Sequence, residues 1–299
     1  MLRPYRTNLT TSPRKTKPQM KKISRRLHVI ENRRISPDVF VLTLGSDVAL
    51  PEIKPGQFAA VLVENTNDVF LRRPFSIHDV DPTHNFIKFY IQIVGKGTEQ
   101  LSKLTSRDSV DVIFPLGNGF SIENGKLIID DVACAYSDGG QPNYPLSIIN
   151  SPLLIGGGCG VAPLLYLAKK IDESGIRPTV LIGGRSKKNI LCIEEYVKYG
   201  NVLITTEDGS LGEKGFVTDH PIFHNGKFDQ IYCCGPEPMM HAVAKFAIEN
   251  RIPCQISLEN MMACGIGACL CCVTQTIEGH QCVCTEGPVF NANELRTKS

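Results

Sequence analysis

Residues 260–290 read NMMACGIGACLCCVTQTIEGHQCVCTEGPVF and hold six of the twelve cysteines of the 299-residue chain. Cys264, Cys269 and Cys272 stand as C-x4-C-x2-C, and Cys284 follows after eleven intervening residues. Four thiolates at that spacing match the ligand pattern of a [2Fe–2S] cluster. The Gly-Ile-Gly-Ala between the first two lets the backbone wrap closely and turn its N–H groups toward sulfur. A structural zinc more usually shows two C-x2-C pairs or a Cys/His mixture. A disulfide knot needs an oxidising compartment, and no export signal is evident. Cys271 and Cys282 are surplus, and either can in principle displace its neighbour, so Cys272 and Cys284 are inferred ligands. Cys134, Cys159, Cys192 and Cys254 read as small core residues.

A one-electron centre needs a donor and an acceptor, and three further stretches supply candidates. In LRRPFSIHDV, residues 71–80, Arg73, Pro74, Phe75 and Ser76 suit a flavin. The guanidinium serves a pyrophosphate, a ring or flat backbone lies beside the isoalloxazine, and the hydroxyl offers a hydrogen bond. In YIQIVGKGTEQLS, residues 90–102, Gly97 and Thr98 open an expected helix whose N–H groups can hold phosphate. In LLIGGGCGVAP, residues 153–163, Gly156, Gly157, Gly158 and Gly160 join a strand to a helix, where backbone can approach a dinucleotide. Cys234, Gly235 and Pro236 of CCGPEPMM sit at the carboxyl end of a later strand, where ligands of open sheets bind. After the second strand of this region, GGRSKK has no acid for an adenosine ribose. Arg185 and Lys187 either hold a 2′-phosphate or simply solvate a loop.

The remaining sequence sets these motifs on an α+β multidomain scaffold. Short alternating runs such as DVFVLTLGS and NFIKFYIQIVG predict an antiparallel β-barrel over residues 27–120. Residues 121–150 break the rhythm and read as an insertion or linker. Strands alternating with helical patterns over 151–258 predict a doubly wound α/β nucleotide domain. A small cysteine module over 259–299 closes the chain. Residues 1–26 carry nine Lys/Arg and no acid, and read as a disordered leader with Met20 as the expected start. A transit peptide is the alternative. The rest of the chain bears 23 basic and 30 acidic residues, which argues against a nucleic-acid binder. No run approaches the roughly 18 apolar residues of a membrane span, so a cytoplasmic location is expected.

Taken together, the stretches RPFS, GGGCGVAP, CCGPEP and ACGIGACLCCV…VCTEGPVF resemble the ferredoxin–NAD(P) reductase superfamily. More closely, the chain from about residue 20 to 290 resembles the iron–sulfur electron-transfer subunits of class B dihydroorotate dehydrogenase. It departs from that family in Cys271, where glycine is usual, and in Thr285–Glu286, where a lysine–aspartate pair is usual. The resemblance implies FAD held by Arg73–Ser76, by Tyr90, Ile91 and Gln92, and by Gly97–Thr98. It implies Cys264, Cys269, Cys272 and Cys284 as cluster ligands, and Cys234 near the nicotinamide of NAD(H). It also implies an FMN-containing dihydroorotate dehydrogenase catalytic subunit as partner, in a heterotetramer of two pairs serving pyrimidine biosynthesis. Other readings are a subunit of ferredoxin–NADP reductase, sulfide dehydrogenase or hydrogenase diaphorase type, or a redox-sensing cluster protein without catalysis. The seven histidines are scattered and read as surface or satisfied polar residues.

Overall fold

The computed structural model describes residues 22–64, 66, 68–122 and 151–296. The expected insertion beyond residue 122, most of the leader, Cys134 and residues 297–299 lie outside the described residues. The first domain is a seven-stranded antiparallel sheet. Its strands are β1 (Ile23–Ser36), β2 (Val39–Gly45), β3 (Phe58–Val61), β4 (Arg73–Ser76), β5 (Asp79–Asp81), β6 (Phe86–Gln92) and β7 (Ser109–Leu116), with the six-residue helix α1 (Lys96–Leu101) between β6 and β7. Their order is β4-β3-β7-β1-β2-β6-β5, and the sheet curls until β4 touches β6. Alternation explains the curl. Leu27 and Val29, then Phe40, Leu42 and Leu44, then Ile87, Phe89 and Ile91, then Val110, Val112 and Phe114 all point into one core. The first strand begins at Ile23 rather than Leu27, so the end of the basic leader belongs to the barrel. Arg25 there donates to Ser46 Oγ at 2.9 Å, and Arg26 pairs with Glu64 at 2.6 Å.

Strand β2 is buried along its whole length because its two faces meet two cores. Val39 and Val41, with Tyr90 of β6, point away from the barrel and pack on the second domain. That domain holds β8 (Pro152–Gly157), α2 (Leu164–Glu173), β9 (Thr179–Gly184), α3 (Ile193–Val197), β10 (Asn201–Thr206), β11 (Glu213–Lys214), α4 (Ile222–Asn225), β12 (Gln230–Cys234), α5 (Glu237–Glu249) and β13 (Cys254–Ser257). These strands are parallel, in the order β11-β10-β9-β8-β12-β13. Successive residues serve opposite faces: Leu154, Val180 and Tyr232 meet α2 and α3, whereas Leu153, Leu181 and Ile231 meet α4 and α5. The winding reverses between β8 and β12, which opens a crevice at their carboxyl ends.

The cysteine-rich segment packs on both domains. It contributes the hairpin β14 (Val273–Thr276) and β15 (Gly279–Cys282), then β16 (Val289–Asn291), which pairs antiparallel with β13 as the seventh strand of the nucleotide sheet. Asn118, just past β7, stitches the segment to the barrel. Its Nδ2 donates to the carbonyls of Glu286 and Val289, both at 2.8 Å, and its Oδ1 accepts from the Val289 N–H at 3.0 Å. One continuous core joins Phe58, Ala60 and Leu116 of the barrel to Cys272, Val283, Cys284 and Phe290.

Candidate functional site

The cysteine loop is organised by its own backbone. Gly265 and Gly267 adopt φ of 68° and 86°, conformations that cost glycine little, and so turn the intervening N–H groups inward. Ile266, Ala268 and Cys269 donate to Cys264 Sγ at 3.5, 3.3 and 3.4 Å, and Gly267 donates to Cys284 Sγ at 3.1 Å. Cys284 in turn donates its N–H to Cys272 Sγ at 3.4 Å. Such a nest of amides favours negative sulfur. It holds the Cys264 thiol down at about 6, chiefly through the Ile266 N–H. Burial first, and then the neighbouring Cys272, push the Cys284 thiol up to about 12.

The Cys269 N–H donates to Cys264 Sγ and the Cys284 N–H to Cys272 Sγ, which ties the four cysteines into two couples. Two couples suit two bridged irons, each taking two thiolates, so this donor set fits a [2Fe–2S] cluster. Cys271 stands outside the couples: it is exposed, and its Sγ turns to the Met261 carbonyl at 3.6 Å. Cys282 is buried at the end of β15, paired across the hairpin with Val273.

The loop lies against the barrel beside the expected flavin strand. A Cβ at Gly265 would stand 3.6 Å from Leu116 and 3.8 Å from Ala60 of β3. Strand β3 pairs with β4, placing Pro74 opposite Ala60 and Ser76 opposite Phe58. Directly opposed residues share a sheet face, so Pro74 and Ser76 look toward the side on which the cysteine loop packs. Phe75, one residue out of phase, turns its ring into the barrel core, 6.4 Å from that of Phe89. What Phe75 offers a flavin is therefore backbone rather than ring.

Arg73 crosses the start of α1. A Cβ at Gly97 would lie 3.0 Å from Arg73 Nε, so the guanidinium lies close over the start of the helix. A cradle of backbone N–H and guanidinium fits a pyrophosphate. Thr98 holds the turn: its buried hydroxyl accepts the Val94 N–H at 2.9 Å and donates to the Gly95 carbonyl at 3.0 Å. The side chains of Tyr90 and Ile91 are consumed in packing, one outward against the nucleotide domain and one into the barrel. Burial pushes the Tyr90 phenol above its ordinary value. Gln92 bridges the domains, donating to Asp38 at 3.1 Å while its Oε1 accepts from Cys159 Sγ at 3.0 Å.

The nucleotide crevice is equally close-set. A Cβ at Gly160 would lie 2.4 Å from the backbone C and O of Cys234, and one at Gly157 would lie 2.6 Å from Met239 Sδ. Gly158, between them, has φ of 55°. The glycine turn after β8 and the Cys234–Gly235–Pro236 turn after β12 thus meet at the sheet's switch point. Cys234 is fully buried, 3.8 Å from Glu259 Oε1; burial raises both the thiol and the Glu259 carboxyl. Glu259 escaped the sequence reading, although it is the last acid before the cysteine loop. Arg185 is bonded through its carbonyl to the Asp208 N–H at 3.2 Å, and Gly184 to the Glu207 N–H at 3.0 Å. Two acids from the end of β10 therefore flank the basic loop that had none of its own.

Two family models match the chain. One, described as the iron–sulfur cluster binding domain of dihydroorotate dehydrogenase B, covers residues 259–296; the other, an oxidoreductase NAD-binding domain, covers 154–245. The chain is 35% identical over 280 residues to the dihydroorotate dehydrogenase B (NAD(+)) electron transfer subunit of Shouchella clausii, covering 92% of this chain and 99% of that one. It is 37% identical over 270 residues to the subunit of the same name from Clostridium acetobutylicum, covering 89% and 95%. Among solved structures, an NADH-dependent reduced ferredoxin–NADP oxidoreductase studied for flavin-based electron bifurcation is 30% identical, with a TM-score of 0.74 and coverage of 90% of this chain and 89% of that one. The ferredoxin reductase of carbazole 1,9a-dioxygenase, 19% identical with a TM-score of 0.60, shares the fold.

Proposed function

The chain belongs to the family of dihydroorotate dehydrogenase B electron transfer subunits, and from that membership we propose that it carries electrons between NAD(H) and a dihydroorotate dehydrogenase catalytic subunit, through FAD and a [2Fe–2S] cluster, in pyrimidine biosynthesis. The observation that carries this reading is the packing of the cysteine loop, through Gly265, Cys272 and Cys284, against β3, one strand from Arg73–Ser76. FAD supplies the exchange between a hydride pair and single electrons that a one-electron cluster requires.

The chain's own residues divide the work. Arg73 and the Gly97 amide hold the flavin pyrophosphate, Thr98 keeps their turn in shape, and Ser76 offers a hydroxyl on the cluster-facing side of the sheet. Pro74, Phe75, Tyr90, Ile91 and Gln92 contribute flat or polar backbone. Gly157, Gly158 and Gly160 let the dinucleotide approach the end of β8. Cys234, Gly235 and Pro236 border the nicotinamide, with the Cys234 thiol kept protonated by burial. Cys264, Cys269, Cys272 and Cys284 would hold the cluster through their thiolates.

The partner is an FMN-containing catalytic subunit, in a heterotetramer of two of each chain, working in the cytoplasm, where thiols stay reduced. Apolar side chains exposed around the cysteine loop support docking at that face: Met261 at 85%, Leu270 at 65% and Ile266 at 47%. Among the described residues no helix is long and apolar enough to cross a membrane. The test is anaerobic purification from the native cell. A complex containing flavin, acid-labile sulfide and dihydroorotate-dependent reduction of NAD(+) is expected; a chain without sulfide, or a partner inert toward dihydroorotate, overturns the reading. The likeness to the bifurcating oxidoreductase supports a second reading, an electron transfer subunit of another flavoprotein complex. Co-purification with a ferredoxin-linked flavoprotein would select it.

A further inference from the structure

His78 lies two residues beyond Ser76 and is completely buried, with 0% exposure, so of the two expected readings it is a bonded interior histidine and not a surface one. Its N–H belongs to the barrel, donating to the Lys88 carbonyl at 2.9 Å. Its other hydrogen bonds reach the nucleotide domain. Its carbonyl accepts the Tyr166 N–H at 3.0 Å, and its Nδ1 lies 2.8 Å from the Ala162 carbonyl. A carbonyl only accepts, so Nδ1 carries the proton of that bond. Helix α2 begins at Leu164. The Tyr166 N–H and the Ala162 carbonyl are the pair that one more helical residue would have joined. His78 takes both halves, and so splices the barrel into the first turn of the helix that follows the glycine turn.

The surroundings reinforce this splice. Tyr196, also fully buried, donates its hydroxyl to the Val161 carbonyl at 2.8 Å, so two successive carbonyls of the turn are gripped from outside it. Glu195 Oε2 stands 3.8 Å from His78 Nε2, and Glu195 Oε1 accepts from Arg33 of the barrel at 2.8 Å. Lys169 of α2 reaches Asp79 at 3.1 Å and the Val80 carbonyl at 3.0 Å.

We propose that His78 is the positioning residue that fixes the glycine turn 157–163 at its working distance from the flavin strand, through the Nδ1–H bond to Ala162, and so sets the approach of nicotinamide to flavin. The inference rests on the NADH-to-FAD reading above. The residue touches neither ligand; its effect is geometric, and a misplacement of about 1 Å between reacting groups can cost about a hundredfold in rate.

Two near-isosteric variants separate this role from mere packing. Asn in His78→Asn places an amide N–H where Nδ1 stands, whereas Gln in His78→Gln places one where Nε2 stands. Each FAD- and cluster-loaded protein is mixed with NADH, and flavin bleaching is followed at increasing NADH. Amide hydrogen exchange over residues 157–167 is measured on the same proteins without NADH. For His78→Gln, bleaching at saturating NADH slows at least about tenfold with little change in NADH affinity, and the peptide exchanges faster. His78→Asn stays near wild type in both. The proposal is overturned if Gln matches wild type, if Asn is as impaired as Gln, or if the loss lies in NADH affinity alone. Wild-type flavin that NADH does not bleach condemns the functional reading instead, and the exchange comparison then still tests whether the Nδ1–H bond holds the turn.

Discussion

In the cysteine loop, the groups that hold the sulfurs are backbone N–H donors drawn from residues 266–284, close in sequence to what they hold. At the domain junction the holding is done by side chains from residues as distant as His78, Gln92 and Tyr196, acting on one short turn. The first arrangement survives many side-chain changes as long as the glycines and sulfurs remain. The second depends on every side chain and on both domains being docked. The two regions should therefore fail differently. Loop variants should lose the cluster and keep the flavin chemistry, whereas junction variants should keep the cluster and lose the hydride step.

The largest effect is expected from the sulfurs. Cys264→Ser and Cys284→Ser each remove one thiolate from a couple, and a hydroxyl does not replace thiolate as an iron ligand of this softness. Acid-labile sulfide and the paramagnetic signal of the reduced protein should vanish, and electron delivery to the catalytic partner should fall to background. Bleaching of FAD by NADH should persist. A serine variant that also failed to bleach would break the comparison, because loop and junction would then share one structural fate.

Next comes the crevice between them. Gly160→Ala puts a methyl 2.4 Å from the backbone of Cys234, which has no flexible end to yield. Forcing the two turns apart should cost about 1–3 kcal/mol, read from the urea midpoint, and should slow flavin reduction by NADH. The cluster signal should be unchanged.

Glu195 sharpens the junction side through pH. With both ring nitrogens of His78 protonated, its Nε2–H at 3.8 Å, and then the Arg33 guanidinium at 2.8 Å, hold the Glu195 carboxyl down at about 2 against the opposing effect of burial. A carboxyl lowered in the folded state adds stability at pH values above its unfolded value near 4.5, and loses it as pH falls toward 2. Allowing for the partial exposure of the group, Glu195→Gln should cost about 1–2 kcal/mol at pH 7. The gap between the two denaturation curves should close progressively below about pH 4.5. A gap that stays constant down to pH 3 would show that the carboxylate's charge plays no part.

The same contrast explains what the sequence disclosed. Ligand spacing is a local property, so a cluster-binding cysteine segment was legible, as were the period-two strands and the glycine turn. Glu259 and His78 carried no local sign. Each matters for what it meets 25 or more residues away, Cys234 in one case and Ala162 in the other. The start of β1 was hidden because Arg25 and Arg26 read as the end of a basic leader, whereas their partners Ser46 and Glu64 lie in the body of the barrel. Strand β16 was missed because Val289–Asn291 is three residues long and is defined by its pairing with β13, not by a pattern of its own.

The smallest expected effect is also informative. Cys271 and Cys272 are adjacent, and spacing alone cannot choose between them as the third ligand. The structure separates them by burial and direction: Cys272 is 2% exposed and receives the Cys284 N–H, while Cys271 is exposed and faces the Met261 carbonyl. Cys271→Ser should therefore shift stability by no more than about 0.5 kcal/mol and leave sulfide content and the paramagnetic signal as in wild type. Cys272→Ser should abolish both. If the outcomes were exchanged, the second couple would be Cys271 with Cys284, the loop would have to rotate by one residue about Leu270, and the amide bonds that define the nest would have to be redrawn. A one-residue choice thus tests whether backbone donors, rather than spacing, select which sulfurs hold iron.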